Sequence, residues 1–274
     1  FDPDSLARKI NEVLAQAAAR RNGPMLGNTG SLRGQVTVLL GLRGGVGTTT
    51  CSVNLAGALV RGGRRTCLLE LTPSGGHLAM HLRLASSPNW STLGGSPDTA
   101  ALGPFLLRHE SGLVVLAAPP VPVRHGPSGI TTRAIIDAVC GYFHHVVVDA
   151  APTLDDATWT ALGAADRTLI MCSPEVGAVQ TTLGVVGAVE GAQKPGSQLH
   201  IGVNHVTAES NVPLAAVERA VGRAPDLVVP HDRLQSRALA QGSPLVFAQP
   251  AAALPAALGA YAVALMEPRI SAPA

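Results

Sequence analysis

The sequence predicts an α/β fold: doubly wound, with a mostly parallel sheet and helices on both faces. Three observations carry this. From residue 35 onward, short β-branched and leucine-rich runs alternate with helical patterns. The runs are apolar on both sides, as buried parallel strands are. The first run leads through a glycine-rich turn, GLRGGVGTTT at 41–50, straight into a helix.

The expected strands are 36–42 (VTVLLGL), 66–71 (TCLLEL), 113–117 (LVVLA), 145–149 (HVVVD), 168–172 (TLIMC), 199–204 (LHIGVN) and 227–230 (LVVP). Helical patterns fall at roughly 49–62, 130–141, 155–164, 176–191 and 212–222. Ahead of them, residues 1–20 read as a separate helix. Asp2 or Asp4 can cap it, and Leu6, Ile10 and Leu14 form its apolar stripe. Residues 21–34 are rich in Gly and Asn without periodicity and read as a linker, leaving 35–274 as one α/β domain. The apolar tail at 251–270 has no basic residue before Arg269, and Pro255 falls early in it; it reads as a packing helix, not a membrane anchor.

Composition narrows the function. Apolar residues make up 46% of 274, enough for a large core, while aromatics at 3% leave that core to Ala, Val and Leu. Charged residues are 14% with a net charge of +2, too little to argue for nucleic acid by electrostatics. Cys51, Cys67, Cys140 and Cys172 lie far apart in apolar segments and read as buried thiols of a reducing, cytoplasmic compartment. Lys9 and Lys194 are the only lysines, so any chemistry that needs one has two candidates.

The glycine-rich turn is the main chemical signal. Its glycines permit positive φ and close approach of backbone to a ligand. The N–H groups of Gly45, Val46, Gly47 and Thr48 would then face phosphate at a helix N-terminus. An ordinary phosphate loop reads G-x-x-x-x-G-K-[ST]. Here Thr48 stands where the lysine is expected, and Thr49 where the magnesium-binding hydroxyl belongs.

RGGVGTTT at 43–50 resembles the deviant Walker A loop of the ParA/MinD superfamily, K-G-G-V-G-K-[ST]-[ST]. The resemblance covers about residues 35–248 and implies ATP and Mg2+ as ligands. It places Arg43 at the signature-lysine position, which reaches across a nucleotide-sandwich homodimer. The implied nucleotide-binding set is Arg43, Gly44, Gly45, Val46, Gly47, Thr48, Thr49 and Thr50. Asn204 in IGVNH joins it as the adenine contact, and Pro230 in VVPHD as part of the following I-P-x-D-like segment. FHHVVVDAAP at 143–152 resembles the Walker B strand, so Thr49 and Asp149 would hold magnesium, Asp149 through water. The family's D-x-D strand end corresponds to Glu70 and Thr72; Glu70 is a further metal candidate, and the water-positioning carboxylate is missing at Thr72.

Within the superfamily the chain is similar to the CpaE/TadZ branch, through SGLVVLAAPP at 111–120, VVVDAAPTLDD at 146–156, LGAADRTLIMCSPE at 162–175 and ALAQGSPL at 238–245. That likeness implies a protein placed at a pole or other cell site, recruiting Tad/Flp pilus assembly or secretion proteins, with slow or no hydrolysis. It also implies that 1–20 ends a receiver-like domain, against the plainer reading of a simple N-terminal helix. Three other functions stay open: a DNA-partitioning ATPase, a division-site regulator of the MinD kind, and a nucleotide-free scaffold. Arg219, Arg223, Arg233 and Arg237 could serve DNA, but Glu218, Asp226 and Asp232 are interspersed, as on an ordinary solvated face. His77 and His81 have the spacing of a zinc pair without the Glu or a third ligand, and no G-x-S-x-G elbow is present.

Overall fold

The computed structural model describes residues 33–93, 95 and 97–267. The helix expected over 1–20, and the linker expected over 21–34 up to residue 32, lie outside the described residues, as does the tail beyond 267.

Eight strands form one sheet: β1 (Gln35–Leu40), β2 (Thr66–Glu70), β3 (Leu107–Arg108), β4 (Val114–Leu116), β5 (His145–Asp149), β6 (Arg167–Cys172), β7 (Gln198–Val206) and β8 (Leu227–Pro230). Their order is β3-β4-β2-β5-β1-β6-β7-β8. All pairs are parallel except β3 with β4. β1 lies centrally, between β5 and β6, and the chain crosses from one flank of β1 to the other between them. That is a switch point, where open α/β sheets bind ligands at the carboxyl ends of their strands.

Ten α-helices accompany the sheet among the described residues: α1 (Thr48–Arg61), α2 (Leu78–His81), α3 (Thr99–Leu102), α4 (Gly129–Cys140), α5 (Asp156–Ala164), α6 (Val176–Ala192), α7 (Leu214–Val221), α8 (Leu234–Ala240), α9 (Leu245–Ala248) and α10 (Ala253–Met266). Each long strand buries both of its faces. Val36, Val38, Val146 and Val148 join α4, α5 and α6 in one core. Leu39, Val147 and Leu169 join α1 and α10 in the other. This alternation is the period-two geometry of a strand, with helices on either side. The seven expected strands are all present; β3, only two residues long, has no pattern that sequence could reveal.

The apolar tail forms α10, which buries Leu254, Leu258, Tyr261, Ala262 and Leu265 against α1. No helix among the described residues is long and apolar enough to cross a membrane. Asn54 in α1 accepts the backbone N–H of Val246 at 2.9 Å, fixing α9 over the same helix.

His145 opens β5 and is buried, with Nδ1 lacking a partner. Burial first, then the charges of Arg64, His144 and Arg167, push its pKa down from 6.5 to about 4. A depressed histidine is neutral in both states above its unfolded value. As pH falls from 6.5 toward 4, only the unfolded chain takes up the proton, so stability drops by up to about 1.4 kcal/mol per pH unit. His145→Val should therefore flatten the stability curve over pH 6.5 to 4, as measured by urea unfolding. An unchanged slope would show that His145 titrates normally.

Candidate functional site

The site is built where β1 ends and α1 begins. Gly41 follows β1 with no room for a side chain, because a Cβ there would collide with the Thr48 hydroxyl and with Val46. Gly45 and Gly47 both take φ 86, in the left-handed region that glycine adopts without strain. Gly47 is the N-cap residue of α1, and no side chain caps this helix. By contrast Ser128 caps α4 and Asp155 caps α5. The first N–H groups of α1 thus stay open to an anion, at the positive end of a 14-residue helix dipole. Within the loop, the amides of Gly44, Gly45, Val46 and Gly47 have no hydrogen-bond acceptor among the described residues. Side chains at Gly44 and Gly45 would meet open space.

Beside the loop, Asp149 ends β5. Its Oδ2 accepts the Thr49 hydroxyl at 2.7 Å, and its Oδ1 accepts the Ser52 hydroxyl at 3.1 Å. Thr49 and Ser52 lie three apart, on one face of α1, so both reach the same carboxylate. Burial raises the Asp149 pKa to about 7 against the lowering bond from Thr49; nearby Glu70 raises it further and the Ser52 bond opposes that. A divalent cation beside Thr49 would favour the ionised form.

Glu70 pairs with Asp149 in register across β2 and β5. It is buried, and both of its oxygens are engaged with backbone. Oε1 accepts the N–H groups of His77 and Leu78 at 2.8 and 3.2 Å, and Oε2 accepts that of Ala118 at 3.0 Å. Glu70 thus ties α2 and the end of β4 to the sheet, a structural task already filling the carboxylate that sequence offers as a metal candidate. Thr72 accepts the Ser74 N–H at 3.3 Å in a local turn. Lys194 pairs with Asp166 at 2.7 Å and donates to Ala164 O at 3.0 Å, at the end of the sheet where β1 and β6 begin, remote from the loop.

Arg43 is exposed, and its guanidinium lies against Gly177 in the first turn of α6, where a Cβ would collide with Nη1. It forms no ion pair among the described residues. From the other side, Asn204 donates from Nδ2 to Val46 O at 2.8 Å, and His205 from Nε2 to Gly45 O at 3.1 Å. Asn204 Oδ1 is buried without a partner. Pro230 ends β8 next to β7, pairing with Val206. The structure therefore gathers Arg43 to Thr50, Asp149 and Asn204 at one edge of the sheet.

Three residues at this edge escape a reading of the sequence. Ser52 carries a signal, since it follows Thr49 by three on a helix. His205 and Gly177 carry none, because each depends on a contact distant in the chain.

No family model matches the chain. The septum site-determining protein MinD of Thermotoga maritima is 24% identical over 159 residues, covering 57% of this chain and 59% of that protein. The chromosome-partitioning ATPase Soj of Thermus thermophilus is 30% identical over 154 residues, 54% of this chain and 58% of its own. Each match thus spans less than two thirds of the curated relative's length. Among solved structures, MinD of Pyrococcus horikoshii complexed with Mg-ADP superposes with a TM-score of 0.70 at 17% identity, over 85% of this chain and 96% of that one. Its likeness is one of fold. Taken with the matched sequences and the loop–helix geometry at Gly41–Thr50, it places the chain: it belongs to the ParA/MinD superfamily.

Proposed function

We propose that this protein binds Mg-ATP at Gly44–Thr50 and dimerises through the nucleotide face. The carrying observation is the run of unpartnered loop amides beside the Thr49–Asp149 pair. Those amides suit phosphate oxygens. Thr49 and Asp149 fit magnesium, with the hydroxyl as direct ligand and the carboxylate acting through water. Asn204 Oδ1 leaves an acceptor for a donor such as the adenine amine, and Pro230 lies on the neighbouring strand end. In this reading residues 35–274 form the nucleotide-binding domain.

Exposed apolar side chains on the same edge of the sheet support the dimer. Val121 after β4, Ile130 in the first turn of α4 and Val176 opening α6 are 63%, 74% and 72% exposed. All three stand at the carboxyl side of the strands, as does the unpaired Arg43. To reach a partner's phosphates, Arg43 would swing off Gly177, its guanidinium then binding oxygens in a fork.

Such a dimer would be a positioning device rather than a metabolic enzyme. Following the CpaE/TadZ likeness, it would concentrate at one cytoplasmic site and recruit Tad/Flp pilus assembly proteins. The DNA-partitioning reading is less favoured, because Arg223 is spent on Asp226 at 3.3 Å and on Leu199 O at 2.6 Å.

Calorimetry should detect Mg-ATP binding in the micromolar to millimolar range, and sedimentation should show a dimer with Mg-ATP that Arg43→Ala largely loses. Equal dimer in both proteins would remove Arg43 from this role, and no heat at several millimolar would favour the nucleotide-free scaffold.

Hydrolysis should be very slow. Thr48 carries no charge to follow the transferring phosphoryl group, and Thr72 replaces the carboxylate that would orient water. Each loss is worth roughly 2–4 kcal/mol in the transition state, so the two together cost on the order of 10³-fold or more. Single-turnover phosphate release measures this, with Thr48→Lys expected to be faster than the parent. A parent turnover near one per second would refute it.

For the cellular role, deletion of the gene should abolish surface pili while leaving septum placement and chromosome segregation intact. Misplaced septa or anucleate cells with normal pili would transfer the assignment to the MinD-like or ParA-like alternative.

A further inference from the structure

β7 carries an irregularity that bears on the phosphate loop. The strand pairs regularly with β6 up to Val203, but its pairing with β8 shifts register between Val203 and Val206. In a regular strand Asn204 and His205 would point to opposite faces. Here His205 takes φ 59, a left-handed conformation that is uncommon outside glycine. The result is that two consecutive side chains turn the same way and bond two consecutive loop carbonyls, Val46 O and Gly45 O. Bulges near sites often re-aim side chains in this manner.

The consequence follows from peptide planarity. In a trans peptide the C=O and the N–H of one unit point in opposite directions. Holding Gly45 O toward β7 therefore turns the Val46 N–H away from it. Holding Val46 O does the same for the Gly47 N–H. Both amides lack an acceptor among the described residues. The fit is close, since a Cβ on Gly47 would collide with Asn204 Nδ2 and stand 3.5 Å from His205 Nε2.

We propose that His205 is a positioning residue which, with Asn204, clamps the phosphate loop in its anion-receiving shape before the anion arrives. The inference rests on the nucleotide-binding reading above and deepens it. A loop without the usual lysine relies on its amides for phosphate affinity, and amides aimed in advance lose less freedom on binding. His205 never touches the ligand; it acts through Gly45.

The test compares the parent with His205→Gly and His205→Asn. Glycine keeps the left-handed backbone and deletes the imidazole. Asparagine also tolerates that backbone and offers an amide donor. Two readouts are needed: 15N order parameters of Gly44–Gly47 in the nucleotide-free full chain, and calorimetric affinity for Mg-ATP. In His205→Gly the order parameters at Val46 and Gly47 should fall from about 0.85 to below about 0.6. Affinity should weaken about fivefold, with melting temperature kept, and His205→Asn should recover much of both losses. Parent-like order and affinity in a folded His205→Gly would overturn the clamp. If the parent binds no Mg-ATP, the nucleotide reading fails, and the order parameters alone still decide for or against the clamp.

Discussion

One carboxylate holds the working edge of this molecule together. Asp149 ends the strand beside β1 and takes hydroxyls from Thr49 and Ser52, the first and second turns of α1. These bonds fix how α1 leaves the sheet, and with it the helix N-terminus and the loop before it. The arrangement is costly, because burying the group raises its pKa to about 7. The two hydroxyl bonds offset part of that cost. A structural carboxylate alone would be placed more cheaply nearer water. One poised beside an open helix N-terminus is better matched to a cation that arrives with its anion.

Glu70, one strand away, shows the contrary use of the same residue type. It too is buried, yet its partners are three backbone N–H groups that belong to the fold. The two carboxylates stand in register on adjacent strands. Their partners separate them: hydroxyls that can also offer an oxygen to a metal for Asp149, amides that cannot for Glu70. Sequence names Asp149 as the magnesium carboxylate through its Walker B resemblance and Glu70 as a further candidate, without revealing the partners that separate them.

The same distinction explains how much was legible beforehand. Strands buried on both faces and helices between them betray themselves by local pattern, and so does a glycine loop joining β1 to α1. Asp149 and Thr49 could be named because each sits at a fixed offset within a local motif. β3 could not, because two residues, Leu107 and Arg108, are too short to show a period. His205 could not either. Its role depends on a register shift against β8 and on a loop about 160 residues earlier, neither of which leaves a trace in the residues around it.

The missing lysine then gains a physical meaning. A lysine at position 48 would add charge that grows in value as negative charge shifts during phosphoryl transfer. Amides and a helix dipole stabilise the phosphate before and after that shift about equally. Uniform binding of this kind gives affinity without rate. The Thr48 hydroxyl packs against Gly41 under the loop, so it does not take over the lysine's reach. Arg43, parked on Gly177, is a free cation near the loop, and in the proposed dimer it would serve the other protomer. A protein built this way would treat ATP as a part of its interface, holding the dimer for as long as the nucleotide survives. Slow chemistry is then a property suited to a positional marker, whose lifetime at a site should exceed the time its recruits need to assemble.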